Sequence, residues 1–221
     1  MEKNRLQIKW LHGLLWIVLN TVGRGMYIIL AGVIGWIVWQ IYQFLSGMGV
    51  YFLSDESTRL FVSGIVLGVC MGTIIGFLQY FVLKNIFEIQ SKKWVLATLI
   101  GITFGLAINF ALPDPTSIRN FSLSFYQTIR IIVVIVSSIS LGVSQWMVLR
   151  KIFSRAEWWI VAAGVAHAIT NLINSRVSYG GENYLRFSLL FLFVEGFGYG
   201  VLTLIVLLAI LRRLDTISLS E

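Results

Sequence analysis

Charged side chains are scarce in this sequence, and they are scarce along nearly the whole chain. Only 12% of the 221 residues are charged and 57% are hydrophobic, whereas a soluble domain of this size usually carries about 25% charged residues. Apolar runs recur from Leu11 almost to Leu211, which excludes a soluble domain with a single anchor. The composition therefore predicts a protein whose main solvent is the hydrocarbon of a bilayer.

Cysteine, proline and the common catalytic motifs are also scarce. The one cysteine, Cys70, excludes a disulfide within the chain and any multi-cysteine metal site. No HExxH pair, no glycine-rich phosphate loop and no plausible serine–histidine–acid set is found. The sequence predicts a non-enzymatic protein without catalytic residues or a metal site, and it leaves any cofactor undefined.

Long apolar runs define the predicted architecture, because a spanning helix needs about 20 mostly apolar residues. We expect an all-α membrane domain of six transmembrane helices over residues 13–213, between a cytoplasmic N-terminus (1–12) and a cytoplasmic tail (214–221). The first span covers either about 13–36, which carries Arg24 through the membrane, or about 26–46. The other predicted spans are 60–83, 94–112, 129–149, 158–174 and 187–211.

The net charge of +7 comes from basic clusters at the ends of apolar runs rather than from one soluble face, so nucleic acid is not an expected partner. With six spans, the outer side receives only Arg59, Arg119, Arg130, Arg176 and Arg186, and nearly all other basic residues fall on the opposite side. The positive-inside rule then places both termini in the cytoplasm.

An internal repeat supports this organisation. Residues 76–84 match residues 142–150, and the match continues past each loop, where Trp94 corresponds to the Trp158–Trp159 pair with a one-residue gap. The start of both copies resembles the sequence around Trp16. The chain therefore reads as three hairpins, each with an outgoing helix that begins at a tryptophan and a returning helix that ends in a cation. The third hairpin is degenerate and lacks the glutamine of the other two.

The segment 145–150, Gln-Trp-Met-Val-Leu-Arg, followed by Ala-Glu-Trp-Trp at 156–159, resembles a repeated signature of uncharacterised multi-pass membrane proteins of cyanobacteria and related bacteria. The resemblance covers roughly residues 14–213. It implies a bacterial cytoplasmic (inner) or thylakoid membrane and carries no activity. The first copy differs, with Tyr80 for tryptophan and Lys84 for arginine.

Small residues mark helix faces that can pack closely. Glycines recur every four residues in one predicted helix, and a similar stripe follows in the next, so neighbouring backbones can approach there. The residues are Gly64, Gly68, Gly72, Gly76, Gly101 and Gly105. We expect packing within the bundle, with a homodimer through the same face as the alternative.

Polar and aromatic residues near the helix ends predict interfacial contacts. Gln79 and Gln145 lie five residues before a cationic helix end, about 7.5 Å along a helix. Together with Trp146, they are expected to act as interfacial anchors that also form interhelical hydrogen bonds. The alternative is part of a solute path. Tryptophans near the predicted cytoplasmic boundaries suggest an aromatic belt: Trp10, Trp16, Trp94, Trp158 and Trp159.

Arg24, His167 and Glu195 form the candidate intramembrane site. His167 follows Trp158 by nine positions, and Glu195 follows Arg186 by nine from the opposite side, so each lies about 13 Å into the hydrocarbon core. If Arg24 lies in the first span, it falls near the same plane. Isolated charges there cost at least about 2.5–3.5 kcal/mol, so we expect the three residues to face inward and pair. The cluster is either an ion pair that orders the bundle or a site for a solute, ion or proton.

These observations predict a non-enzymatic structural or accessory subunit, with the lipid bilayer and other membrane subunits as partners. A small solute-binding or transport protein is the first alternative, suggested by the midplane polar residues. A pigment or haem carrier is the second, because small residues one turn before His167 leave room beside its imidazole.

Overall fold

The computed structural model describes residues 2–49, 56–86, 92–112, 123–153, 155–177, 194 and 196–209. In this part of the chain the secondary structure is helical, without strands, as the sequence predicts. The helices are α1 (Glu2–Gly25), α2 (Tyr27–Gly47), α3 (Glu56–Ile86), α4 (Lys93–Ala111), α5 (Leu123–Leu149), α6 (Trp158–Val177) and α7 (Gly196–Ala209).

Helices α1 and α2 are almost continuous. The amide of Met26 donates to the carbonyl of Val22, and the amide of Leu30 donates to the carbonyl of Met26, both at 3.0 Å. Helix-type hydrogen bonds therefore continue across the junction, which lies one residue after Gly25. Beyond α2, Gly49 has a φ of +78°, a left-handed conformation that glycine adopts without a steric penalty and that commonly ends helices.

Four helical stretches of the described chain are long and apolar enough to cross a membrane: Leu11–Gly47, Ser57–Asn85, Lys93–Ala111 and Thr128–Leu149. Their outer faces are apolar, as Leu11 (67% exposed) and Phe44 (69% exposed) show, whereas Gln145 is fully buried. Apolar side chains outside and amides inside are the arrangement of a bundle surrounded by lipid. The structure is therefore consistent with the predicted membrane protein of several spans. The number of six spans remains a prediction.

Helices α3 and α4 pack closely along a row of glycines. A Cβ atom added to Gly68 would lie 2.5 Å from the Cα atom of Thr103, and one added to Gly72 would lie 2.5 Å from the Cα atom of Leu99. Real Cβ atoms do not approach a neighbouring backbone this closely, so the two helices can meet here only through glycine.

A second kind of glycine contact occurs once in each of three helix pairs. In each pair, a glycine lies against the Cα atom of the residue that follows a buried tryptophan. These contacts, measured from a Cβ atom built on the glycine, are Gly76 to Val95 at 3.1 Å (α3 and α4), Gly142 to Ile160 at 3.1 Å (α5 and α6), and Gly200 to Ile17 at 2.9 Å (α7 and α1). They join the returning helix of one predicted hairpin to the outgoing helix of another. The three-hairpin arrangement itself stays a prediction.

Helix α2 lies at the edge of the bundle. Its residues Ile34 and Val38 are buried against Leu67 and Met71 of α3. The guanidinium carbon of Arg59, near the start of α3, lies 4.4 Å from the ring centroid of Tyr42 on α2, a cation–π contact. Most of the remaining face of α2 is exposed.

Candidate polar site inside the helix bundle

Two glutamine side chains meet at the centre of the bundle. The Nε2 group of Gln145 on α5 donates to Oε1 of Gln79 on α3 at 3.0 Å and to Oγ1 of Thr98 on α4 at 2.9 Å. The Nε2 group of Gln79 donates to Oδ1 of Asn20 on α1 at 2.7 Å. All four residues are at most 2% exposed. One chain of side-chain hydrogen bonds therefore links four helices.

Buried tryptophans donate to this network. Nε1 of Trp94 donates to Oε1 of Gln79 at 3.1 Å, and Nε1 of Trp159 donates to Oε1 of Gln145 at 2.9 Å. An indole nitrogen can only donate, so each amide oxygen must face its tryptophan. This requirement fixes the orientation of both glutamine amides.

A third tryptophan makes the corresponding bond with a shorter partner. Nε1 of Trp16 on α1 donates to Oγ1 of Thr203 on α7 at 3.1 Å. Thr203 follows Gly200 by three residues, just as Gln79 follows Gly76. The three indoles also pack together, because the Trp159 ring lies edge-on to Trp16 and to Trp94, with centroids 6.2 and 5.6 Å apart.

Tyr199 connects the network to Arg24. Its hydroxyl donates to Oε1 of Gln145 at 3.1 Å, and the guanidinium carbon of Arg24 lies 4.5 Å from the centroid of its ring. Arg24 is in the last turn of α1 and is only 7% exposed. The arginine of the first helix therefore points into the bundle and rests on α7.

The amide of Gln145 is saturated. Its oxygen accepts from Trp159 and Tyr199, and its nitrogen donates to Gln79 and Thr98. A primary amide has two donor hydrogens and two acceptor lone pairs, so no hydrogen-bonding capacity is left for a ligand. As it stands, this amide cross-links helices and cannot also hold a solute.

An apolar layer closes the network toward the C-terminal ends of α3 and α5. Leu83, Leu149 and Leu207 are completely buried there, with Phe153 beside them. The leucines occupy equivalent positions, each four residues after the glutamine or threonine that accepts from a tryptophan. The side chains that fill this layer are therefore apolar.

The residues predicted for the midplane cluster are only partly described. Arg24 is buried, and it contacts Tyr199, a residue that the sequence did not single out. His167 lies in α6, but its side chain is outside the described part, and Glu195 is also outside the described residues. The expected pairing of the three ionisable groups stays a prediction.

The predicted packing glycines lie between helices. Four of them face α4, namely Gly64, Gly68, Gly72 and Gly76. Gly101 and Gly105 face α5, where they contact Leu141, Ser144 and Ser137.

Trp146, the third predicted interfacial residue, is half-buried. The guanidinium carbon of Arg150 lies 4.8 Å from the centroid of the Trp146 ring.

The aromatic-belt interpretation is wrong for three of the five tryptophans. Trp16, Trp94 and Trp159 are 0% exposed and serve as internal donors, whereas Trp158 is 57% exposed. Gln79 and Gln145 form the expected interhelical hydrogen bonds, but their side chains also point inward. Distance from a helix end gives the height of a residue and not its direction around the helix, which is why the sequence suggested outer anchors.

One sequence signal could have revealed the network. Gln79 precedes its donor Trp94 by 15 residues, and Gln145 precedes its donor Trp159 by 14. A polar acceptor and an indole donor that recur together across a loop indicate a bond between adjacent antiparallel helices. Asn20 and Thr98 carry a weaker signal, because each is a polar residue four positions after its tryptophan and each accepts from a glutamine. Tyr199 has no such signal, because the residues four positions before Gln79 and Gln145 are apolar.

Comparison of the chain with protein-family models, curated proteins and solved structures found no match. Within the described residues, no group of three or more histidine, cysteine, aspartate or glutamate side chains is placed to hold a metal ion.

Proposed function

We propose that this chain is a six-span protein of a bacterial cytoplasmic or thylakoid membrane that serves as a non-enzymatic structural or accessory subunit of a membrane complex. Both termini lie in the cytoplasm in this proposal. The observation that supports it best is the saturated amide of Gln145, because the most polar part of the described interior is used entirely to connect helices.

The network favours a rigid bundle over a moving one. Buried polar groups that are fully satisfied specify one arrangement of the elements that carry them. Any displacement of α5 relative to α3, α4, α6 or α7 would break at least one bond of Gln145. A transporter that alternates between two conformations would have to break these hydrogen bonds in every cycle. A structural subunit is stabilised by them.

Gel migration and transport assays test this role together. Native membranes that contain the tagged chain are solubilised in digitonin and separated on a native gel, where the chain should migrate in an assembly larger than its own dimer. The purified chain, reconstituted alone in sealed vesicles, should not raise the flux of small ions or solutes above that of empty vesicles. A monomer on the native gel, combined with solute flux in vesicles, would refute the scaffold role.

Burial of Arg24 favours solute binding as the second candidate function. A guanidinium inside a bundle, stacked on Tyr199, is a suitable contact for a carboxylate or phosphate. If Arg24 binds a solute, one member of a panel of organic anions should raise the melting temperature of the purified protein. The increase should disappear in Arg24→Lys, because a lysine lacks the planar fork. A panel without effect on the wild type would refute the binding of these anions at Arg24.

A further inference from the structure

A groove of about 630 Å³ lies on the outer face of α3, away from the polar network. Its described lining runs from Thr73 through Phe77 and Phe81 to Lys84 and Asn85. Both phenylalanines are 58% exposed and stand one helical turn apart, so they form an apolar wall. The described lining residues all belong to α3, so the groove is open toward the surrounding lipid.

The length of the groove matches one leaflet of a bilayer. Thr73 and Asn85 are twelve residues apart, which corresponds to about 18 Å along a helix. Half of the hydrocarbon core is about 15 Å thick. With Lys84 at the level of the headgroups, the apolar part of the groove therefore extends to about the middle of the membrane.

The two ends of the groove differ in chemistry. The deep end is apolar apart from Thr73, whereas the shallow end presents the ammonium of Lys84, the amide of Asn85 and the hydroxyl of Tyr80. Ammonium, amide and hydroxyl groups all donate hydrogen bonds, and a cation prefers an anionic acceptor such as a phosphate. The apolar length suits an acyl chain, and the polar end suits a charged headgroup.

The equivalent place in the second repeat is built differently. Trp146 and Arg150 occupy the positions of Tyr80 and Lys84, and Arg150 stacks on the Trp146 ring at 4.8 Å. Both cations are exposed at the C-terminal ends of their returning helices, α3 and α5. Lys84 and Arg150 thus form a matched pair, in which Lys84 lines the groove and Arg150 is stacked on its own helix.

We propose that this groove is a binding site for one anionic phospholipid, whose acyl chain lies along Phe77 and Phe81 and whose phosphate contacts Lys84. The proposal is independent of the scaffold role. It requires only that α3 spans the membrane.

Native mass spectrometry of the delipidated full-length protein, titrated with palmitoyl-oleoyl phosphatidylglycerol or phosphatidylcholine, tests the site. One phosphatidylglycerol should bind more tightly than phosphatidylcholine. Lys84→Gln should weaken this first phosphatidylglycerol about fivefold, the factor expected for one basic residue near an anionic lipid, and should leave phosphatidylcholine binding unchanged. Arg150→Gln should leave the affinity for the first phosphatidylglycerol unchanged.

Several results would overturn the proposal. Equal affinities for the two lipids would remove the headgroup preference, and equal losses in Lys84→Gln and Arg150→Gln would indicate diffuse surface attraction. Dihexanoyl phosphatidylglycerol has the same headgroup but short tails, and binding as tight as that of the long-chain lipid would exclude a role for the groove. A dimer that dissociates in Phe77→Ala and excludes the lipid would assign the groove to a second copy of the chain.

Discussion

Gln145 uses the full hydrogen-bonding capacity of its side chain to connect helices. Its amide bonds to groups on four other helices, and no other residue type offers two donors and two acceptors at this length. Asparagine is one methylene shorter, and an ionised glutamate can only accept. The position therefore depends on the amide itself rather than on polarity in general.

Replacing this amide with an apolar group should be costly. In Gln145→Leu, the indole of Trp159 and the hydroxyl of Tyr199 both lose their acceptor, and each interhelical bond in a membrane contributes about 0.6–2 kcal/mol. We expect the free energy of unfolding to fall by about 2–4 kcal/mol, measured by unfolding in mixed detergent and SDS micelles. Gln40→Leu, the same change at an exposed site on α2, should alter it by less than about 0.5 kcal/mol. Similar effects of the two substitutions would show that the network does not stabilise the bundle.

Adjacent tryptophans provide a second comparison at this scale. Trp159→Phe removes a buried indole that donates to Gln145 at 2.9 Å, and it also leaves a small cavity, so the free energy of unfolding should fall by about 2–4 kcal/mol. Trp158 is 57% exposed, and Trp158→Phe should change stability by less than about 0.5 kcal/mol. Thermal denaturation of the two purified variants gives the comparison. A larger loss in Trp158→Phe would contradict the assignment of Trp159 as the internal donor.

At the scale of helices, glycine determines which surfaces can meet. In Gly72→Ala, the new methyl group would lie 2.5 Å from the Cα atom of Leu99, so α3 and α4 must move apart. Overpacking of this kind costs about 1–3 kcal/mol, and we expect a matching fall in the melting temperature. Gly35 on α2 has no atom within 4 Å of an added Cβ atom. Gly35→Ala should therefore leave stability unchanged or raise it by up to about 1 kcal/mol, since alanine favours helix.

Periodicity along the chain was enough to predict helices and the glycine-lined face of α3. It could not predict which helices meet, since α1 packs not only against α3 but also against α7, at the other end of the sequence. It also could not predict toward which side of its helix each side chain points. Gln79 lies at the same height in the membrane, five residues before Lys84, whether its side chain faces lipid or faces Gln145. Only the positions of the neighbouring helices decide between these two orientations. This is why the amide pair was expected in the interfacial region, while Asn20, Thr98 and Tyr199 were not expected at all.

The arrangement of the whole molecule in a membrane can be tested by labelling. In a Cys70→Ser background, single cysteines introduced near Asp55, Pro115 and Gly181 should react with an impermeant maleimide added outside sealed cells. Cysteines near Gln90, Ser154 and Ser218 should react only after the membrane is permeabilised. The pattern follows from six spans with basic loops retained in the cytoplasm. Outside labelling at position 154 would refute the six-span topology.

The bond between Trp16 and Thr203 joins residues that are 187 positions apart, and this separation has a consequence for biosynthesis. At about 5–20 residues per second, a ribosome needs about 10–40 s to make the chain between them. Throughout that interval α1 is complete, but α7 has not yet been made. The indole of Trp16 therefore lacks its acceptor, and the backbone at Ile17 lacks the glycine that packs against it. A chain that ended before residue 196 would leave this face of α1 uncovered within the bilayer.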